Sequence, residues 1–175
     1  SSLLIACTQK ADDTIIRVGG RLVSRPYVDI TIDMLKAFGG EVRESEEGFV
    51  VRGGQRLDRN EYVVPGDYSS AAFTLAAGAI TSGDVTVKNL DASSPQGDRA
   101  IIRHLKEFGA EVSTTSDSVR VSSGRLDGIE IDVCDTPDLF PVLAVLGAVA
   151  EGTTVLKGGA NLRQKESDRI APTTA

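Results

Sequence analysis

Leu35-Lys-Ala-Phe-Gly-Gly-Glu-Val42 and Leu105-Lys-Glu-Phe-Gly-Ala-Glu-Val112 are one pattern written twice, at an offset of 70 (105 − 35). Each reads as a helix end, a glycine stop and the start of a strand. The repeat extends outward. Phe49-Val-Val-Arg-Gly-Gly54 matches Val119-Arg-Val-Ser-Ser-Gly124, and Asp13-Thr-Ile-Ile-Arg-Val18 matches Gly83-Asp-Val-Thr-Val-Lys88, both at 70 (119 − 49 and 83 − 13). A third copy opens at Gly152-Thr-Thr-Val-Leu-Lys157. Self-similarity at a fixed period marks repeated supersecondary units. Each copy reads helix, strand, helix, strand, strand, strand. The predicted class is therefore α/β (α+β), in repeated units of which the last is incomplete.

Local chemistry gives the elements. Leu3 to Cys7 and Ala71 to Ile80 are apolar helices rich in small residues, suited to close packing on a sheet. Asp29 to Phe38 places Ile30, Met34 and Phe38 on one helical face. In Asp98 to Phe108 the inward residues are Ile101, Ile102, Leu105 and Phe108, which leaves His104 at the surface or boundary. Val42 to Arg43, Gly48 to Arg52 and Tyr62 to Val64 read as short strands. Leu139 to Ala150 is apolar nearly all round, so it expects protein on most sides.

Composition narrows the function. The net charge of −6 argues against nucleic acid as a partner. No apolar run approaches the roughly 20 residues that span a bilayer, and no basic, cleavable leader is visible. Cys7 and Cys134 are too few and too isolated for a thiolate metal site, and are expected as buried free thiols in a reducing cytoplasm. His104 stands alone, so no metal is expected. The first residues read as the middle of a helix, so the chain is expected to have lost its natural start.

Two places carry chemistry. Asn161-Leu-Arg-Gln-Lys165-Glu166-Ser-Asp-Arg169 follows a strand and a Gly158-Gly159 turn. As a helix it sets Asn161, Lys165 and Arg169 on one face, two cations waiting for an anion, with Glu166 beside them. A solvated helix start, with Lys165 paired to Asp168 and Arg163 to Glu166, accounts for the same residues. Asp67 and Asp138 occupy equivalent places in the repeat, each ending a strand before a helix. Either can be an N-cap carboxylate, and Asp138, at a strand end facing a crevice, also suits a general base.

Four stretches together carry a resemblance: Leu22-Val-Ser-Arg-Pro-Tyr-Val-Asp-Ile-Thr31, Pro65-Gly-Asp-Tyr-Ser-Ser-Ala-Ala72, Ser94-Pro-Gln-Gly-Asp98 and the closing Asn161 to Arg169. With Thr136-Pro-Asp138 they resemble the EPSP synthase family of enolpyruvyl transferases, over essentially the whole chain. The resemblance implies βαβαββ units in two domains, an inside-out α/β barrel, here incomplete. Residues 1–66 would be the last unit of one domain. Residues 67–175 would be the first unit and the start of the second unit of the other.

The implied reaction moves the enolpyruvyl group of phosphoenolpyruvate to the 5-hydroxyl of shikimate 3-phosphate and releases phosphate, with no cofactor. By resemblance, Ser24 and Tyr27 contact the 3-phosphate; the residues alone read Ser24 as an N-cap for the helix starting near Pro26, and both roles can hold together. Asp138 contacts the shikimate hydroxyls and takes the proton of the attacking one. Asn161 and Lys165 contact the same substrate, Lys165 within the catalytic group. Glu166 protonates the methylene carbon of phosphoenolpyruvate, and Arg169 clamps that substrate.

The family's Lys-Ser, Asn-x-Gly-Thr, Ser-Ser-Gln and Asp-His-Arg motifs and its late lysine have no counterpart here. The chain is thus expected to be an internal fragment, inactive alone. The whole enzyme is expected to be cytoplasmic and monomeric. The fragment is expected to self-associate through its uncovered second half or to lose order after about residue 160. The alternatives are a UDP-N-acetylglucosamine enolpyruvyl transferase, a non-catalytic βαβαββ module, and RNA-end cyclisation, which the −6 charge and the single histidine disfavour.

Overall fold

Short alternating strands closed by tight turns build the same sheet twice. The computed structural model describes residues 1–20, 22–59 and 61–174. It divides into two compact units, Ser1–Val64 and Pro65–Ala175.

In the first unit α1 (Ser2–Cys7), β1 (Thr14–Arg17), α2 (Arg25–Ala37), β2 (Val42–Ser45) and β3 (Gly48–Val51) form an antiparallel sheet, order β1-β3-β2, with helices packed on it. Leu4, Cys7, Ile32, Leu35, Val42, Phe49 and Val51 make its core. The second unit repeats this with α3 (Tyr68–Ile80), β4 (Asp84–Lys88), α4 (Ile101–Phe108), β5 (Glu111–Thr114) and β6 (Ser118–Ser122), order β4-β6-β5. It continues into β7 (Glu130–Asp132), α5 (Phe140–Val149), β8 (Val155–Lys157) and a last short helix, α6 (Ala171–Thr174). β7 and β8 pair in parallel. Each sheet has one packed and one wet face: Val119 and Val121 of β6 are buried, whereas Arg120 between them is exposed and pairs with Asp84. Burying such a side chain stabilises by roughly 1.5–3 kcal/mol.

The repeat is real and its register is finer than the sequence implied. Val42 faces Val51, and Val112 faces Val121, an offset of 70 on both strands (112 − 42, 121 − 51). Ile16 faces Phe49, but it is Val87 that faces Val119, so β1 and β4 correspond at 71 (87 − 16). Aligning Asp13–Val18 with Gly83–Lys88 at 70 is therefore one residue out. One residue flips a strand's faces, and it is Ile16 and Val87 that pack on the cores. Gly39 (φ 85°) and Gly109 (φ 107°) stop α2 and α4 in the left-handed region, as equivalent C-terminal glycines should.

Other expectations need correction. Tyr62–Val64 is not a strand: its counterpart β7 is held by the opening strand of the next repeat, and Val63 and Val64 are exposed here. The buried face of α2 is Ile32 and Leu35, while Ile30, Met34 and Phe38 are half-buried. His104 is buried, with Nδ1 3.2 Å from Glu107 Oε2. Burial holds its pKa below the ordinary 6.5, against the opposing pull of Glu107. Cys7 is a buried free thiol, but Cys134 is only half-buried. Among the described residues no helix is long and apolar enough to cross a membrane.

Candidate functional site

Asp138 is the centre of the second unit's polar cluster. It sits in a 3-10 turn, Pro137–Leu139, which leads directly into α5. The N-cap positions of that turn and of α5 are Thr136 and Leu139, so Asp138 is not the helix cap that its repeat position allowed. Its equivalent, Asp67, is a cap: its carboxylate accepts from the Ser69 and Ser70 amides, both at 3.0 Å. Burial pushes the Asp67 pKa up, but these serine hydrogen bonds outweigh it and hold the group below its ordinary range.

Relieved of capping, Asp138 pairs with cations. Arg169 Nη1 donates to Asp138 Oδ1, and Lys165 Nζ stands 3.8 Å from the same oxygen. Side chains 165, 169 and 138 are each about three-quarters shielded from solvent. Glu166 is 88% exposed, with Oε2 3.7 Å from Arg169 Nη2. Asn161 Oδ1 is buried and accepts no hydrogen bond among the described residues.

The segment that delivers these groups is not an α-helix. Gly159–Gln164 is 3-10, and Lys165 is extended (φ −73°, ψ −175°). The helical spacing proposed for Asn161, Lys165 and Arg169 therefore fails, yet Lys165 and Arg169 still converge, on a partner remote in sequence. Neither anticipated i,i+3 pair forms as written. Asp168 accepts from Arg163 at 3.1 Å and from the amides of Ile170 and Ala171, opening α6. Those amides, then Arg163, hold the Asp168 carboxyl below its ordinary range. The Arg169 amide donates to the carbonyl of fully buried Leu162, which pins the loop to the core.

A cleft of about 610 Å³ opens beside this cluster, lined by Ser69, Phe73, Asp138, Pro141, Ser167 and Arg169 among others. A larger hollow, about 700 Å³, runs along α4 past Arg99, Arg103 and Lys106 and holds none of the anticipated site residues. The chemistry favours the smaller one.

Ser24 and Tyr27 belong to the first unit. Ser24 occupies the N-cap position of α2, but in the left-handed region (φ 56°, ψ 42°) and with no side-chain capping bond. The expected capping role is absent and the hydroxyl is left for other use. The Tyr27 carbonyl accepts from Thr31 Oγ1 at 2.9 Å within α2.

Two residues of the Ser94–Asp98 motif have structural work that sequence did not reveal. Gln96 donates to the Gly66 carbonyl (2.9 Å) and accepts from the Tyr68 amide (2.8 Å). Buried Asp98 accepts from the Ser69 hydroxyl. The motif thus locks onto Pro65–Ala72.

Known proteins agree with the architecture. The family model for EPSP synthase (3-phosphoshikimate 1-carboxyvinyltransferase) matches residues 1–175. Curated 3-phosphoshikimate 1-carboxyvinyltransferases from Methanothrix thermoacetophila and Methanocaldococcus jannaschii are 51% and 43% identical, over 97% of this chain and 40% of their own length. The chain therefore spans well under half of the curated relatives it matches. EPSP synthase from Acinetobacter baumannii superposes with a TM-score of 0.74 at 30% identity, covering 98% of this chain and 40% of that one. The enolpyruvyl transferase NikO from Streptomyces tendae shares the fold, with a TM-score of 0.65 at 19% identity over 89% of this chain and 37% of its own. Family model, relatives and fold thus converge, and the chain belongs to the EPSP synthase (3-phosphoshikimate 1-carboxyvinyltransferase) family.

Proposed function

We propose that these residues are part of an enolpyruvyl transferase site in a longer protein. That protein takes the enolpyruvyl group of phosphoenolpyruvate to the 5-hydroxyl of shikimate 3-phosphate, with release of phosphate. The observation that carries this reading is the convergence of Arg169 and Lys165 on one oxygen of Asp138, with the exposed carboxylate of Glu166 alongside.

Such a cluster supplies both directions of proton movement. As the 5-oxygen bonds to the substituted carbon of phosphoenolpyruvate, its proton passes to Asp138. Glu166 gives a proton to the methylene carbon. Loss of a proton from the new methyl group then restores the double bond as phosphate leaves. Arg169 suits bidentate contact to the carboxylate or phosphate of phosphoenolpyruvate. Lys165 and the unsatisfied buried oxygen of Asn161 suit the hydroxyl-bearing shikimate substrate. Ser24 and Tyr27 take its 3-phosphate.

Residues 1–66 close one domain of that protein and 67–175 open the other; the observed division at Val64 and Pro65 supports this. The whole protein is a cytoplasmic monomer; the free thiols Cys7 and Cys134 of this chain are in keeping with a reducing compartment. Its partners are two small anions and neither nucleic acid nor membrane.

The test is phosphate release from phosphoenolpyruvate by the gene-length protein. Release should require shikimate 3-phosphate, and UDP-N-acetylglucosamine should not replace it. Asp138→Ala and Glu166→Gln should each lower kcat by roughly 100-fold or more, the scale of general acid–base catalysis. Wild-type turnover in either variant would remove that residue from its role.

A further inference from the structure

Ser24 is one of two non-glycine residues with positive φ among the described residues. A serine before a helix ordinarily lies in the extended region and spends its hydroxyl on an amide of the first turn. Here it does neither. The left-handed backbone costs of the order of 1–2 kcal/mol for a residue with a Cβ, so something must hold it.

The next residue is held unusually well. Arg25 donates through both terminal nitrogens to the two oxygens of Glu44, each at 2.9 Å. Its Nε donates to Asp29 at 2.7 Å. Its guanidinium carbon lies 5.6 Å from the centroid of buried Phe49. Exposed ion pairs usually contribute little. This one is a two-pronged fork on β2, a third bond along α2 and a ring beneath, the geometry in which arginine is not replaceable by a simple charge. It fastens the first residue of α2, although the following Pro26 disfavours helical backbone there.

We infer that Arg25 is a positioning residue: by clamping the start of α2 to Glu44, Asp29 and Phe49 it keeps Ser24 left-handed and its hydroxyl free for a phosphoryl oxygen. Without the clamp, Ser24 relaxes to the extended N-cap conformation and its hydroxyl turns to the helix. Stability then changes little, because a strained turn is exchanged for a capped one. The inference rests on the reading of Ser24 as a contact to the 3-phosphate.

The experiment has two arms. In the gene-length protein, Arg25→Gln should raise KM for shikimate 3-phosphate about tenfold, the loss of one charge-assisted contact. KM for phosphoenolpyruvate should stay within about twofold on the same scale. Arg25→Lys, which keeps the charge and loses the fork, should recover only part. In a Ser24→Ala background Arg25→Gln should raise KM no further, since the arginine acts through that hydroxyl. The second arm uses the 175-residue chain. Its Ser24 Cα and Cβ chemical shifts should report left-handed backbone, and extended backbone in Arg25→Gln. An equal rise in KM with and without the Ser24 hydroxyl, or left-handed shifts that persist in Arg25→Gln, overturns the inference. If the gene-length protein does not use shikimate 3-phosphate at all, the functional reading falls, and the shifts alone decide the positioning role.

Discussion

Asp138 and Asp67 show how one repeat position comes to mean two things. Both carboxylates precede a helix. Asp67 is taken by the amides of Ser69 and Ser70, while Asp138 meets Arg169 and Lys165 from a loop about thirty residues on. Sequence marked both as candidates and left the choice open, because capping is local and visible whereas the arginine's approach is tertiary. His104 shows the same limit from the other side. It stands outside the inward set Ile101, Ile102, Leu105 and Phe108, which reads as surface or boundary, yet it is buried against Glu107. Its folded pKa is depressed, so the unfolded chain binds the proton more readily. Stability is complete above the unfolded value of 6.5 and falls as pH drops from there through the folded pKa. Thermal midpoints between pH 8 and pH 5 should decline in the wild-type chain and decline less in His104→Gln. Equal pH dependence in the two would show that His104 titrates normally.

At the scale of elements, the helix-end phrase at Leu35 and Leu105 carried most of the architecture. It fixed the sheets' matching order and the glycine stops. It did not fix the opening strands, because Thr-Ile-Ile-Arg and Asp-Val-Thr-Val-Lys align equally well one residue apart and only pairing with β3 and β6 breaks the tie. The observed register is testable. Thr86 is exposed and Val87 packs on the core, so Thr86→Asp should cost less than about 0.5 kcal/mol, and Val87→Asp roughly 1–3 kcal/mol, in denaturant unfolding. The reverse order would restore the offset of 70. The conditional helical reading of the closing motif fails for a related reason. Its charges at spacing four imitate one face, while Gly158, left-handed at φ 76°, starts a 3-10 turn instead. Gly66 makes a further prediction. A Cβ there would collide with the Asn89 carbonyl oxygen, to which its own amide already donates at 2.7 Å. Gly66→Ala should destabilise the second unit by about 1–3 kcal/mol, and an unchanged midpoint would contradict that close approach.

Over the whole molecule, α3 and α5 of the second unit still show apolar surface, with Phe73, Ile80, Val145 and Val149 exposed by 40–55%. Side chains of this kind close together favour association. The 175-residue chain should therefore scatter light as more than a monomer as concentration rises, and Val145→Lys with Val149→Lys should reduce it. Concentration-independent monomer in the wild type would refute this. The chain should also be inactive alone, since it spans 40% of its curated relatives and water exclusion needs a complete site. The functional reading comes to its sharpest point at Arg169 in the gene-length protein. If the cluster at Asp138 is a substrate site, Arg169→Ala should weaken phosphoenolpyruvate binding by about 1.5–3 kcal/mol, the worth of a hydrogen bond to a charged group. Shikimate 3-phosphate, assigned to Ser24, Tyr27, Asp138, Asn161 and Lys165, should lose much less. Calorimetric titration of both ligands against the variant decides it: a selective loss of phosphoenolpyruvate is the predicted result, and equal losses for the two, or none for either, would return Arg169 to a structural ion pair with Asp138.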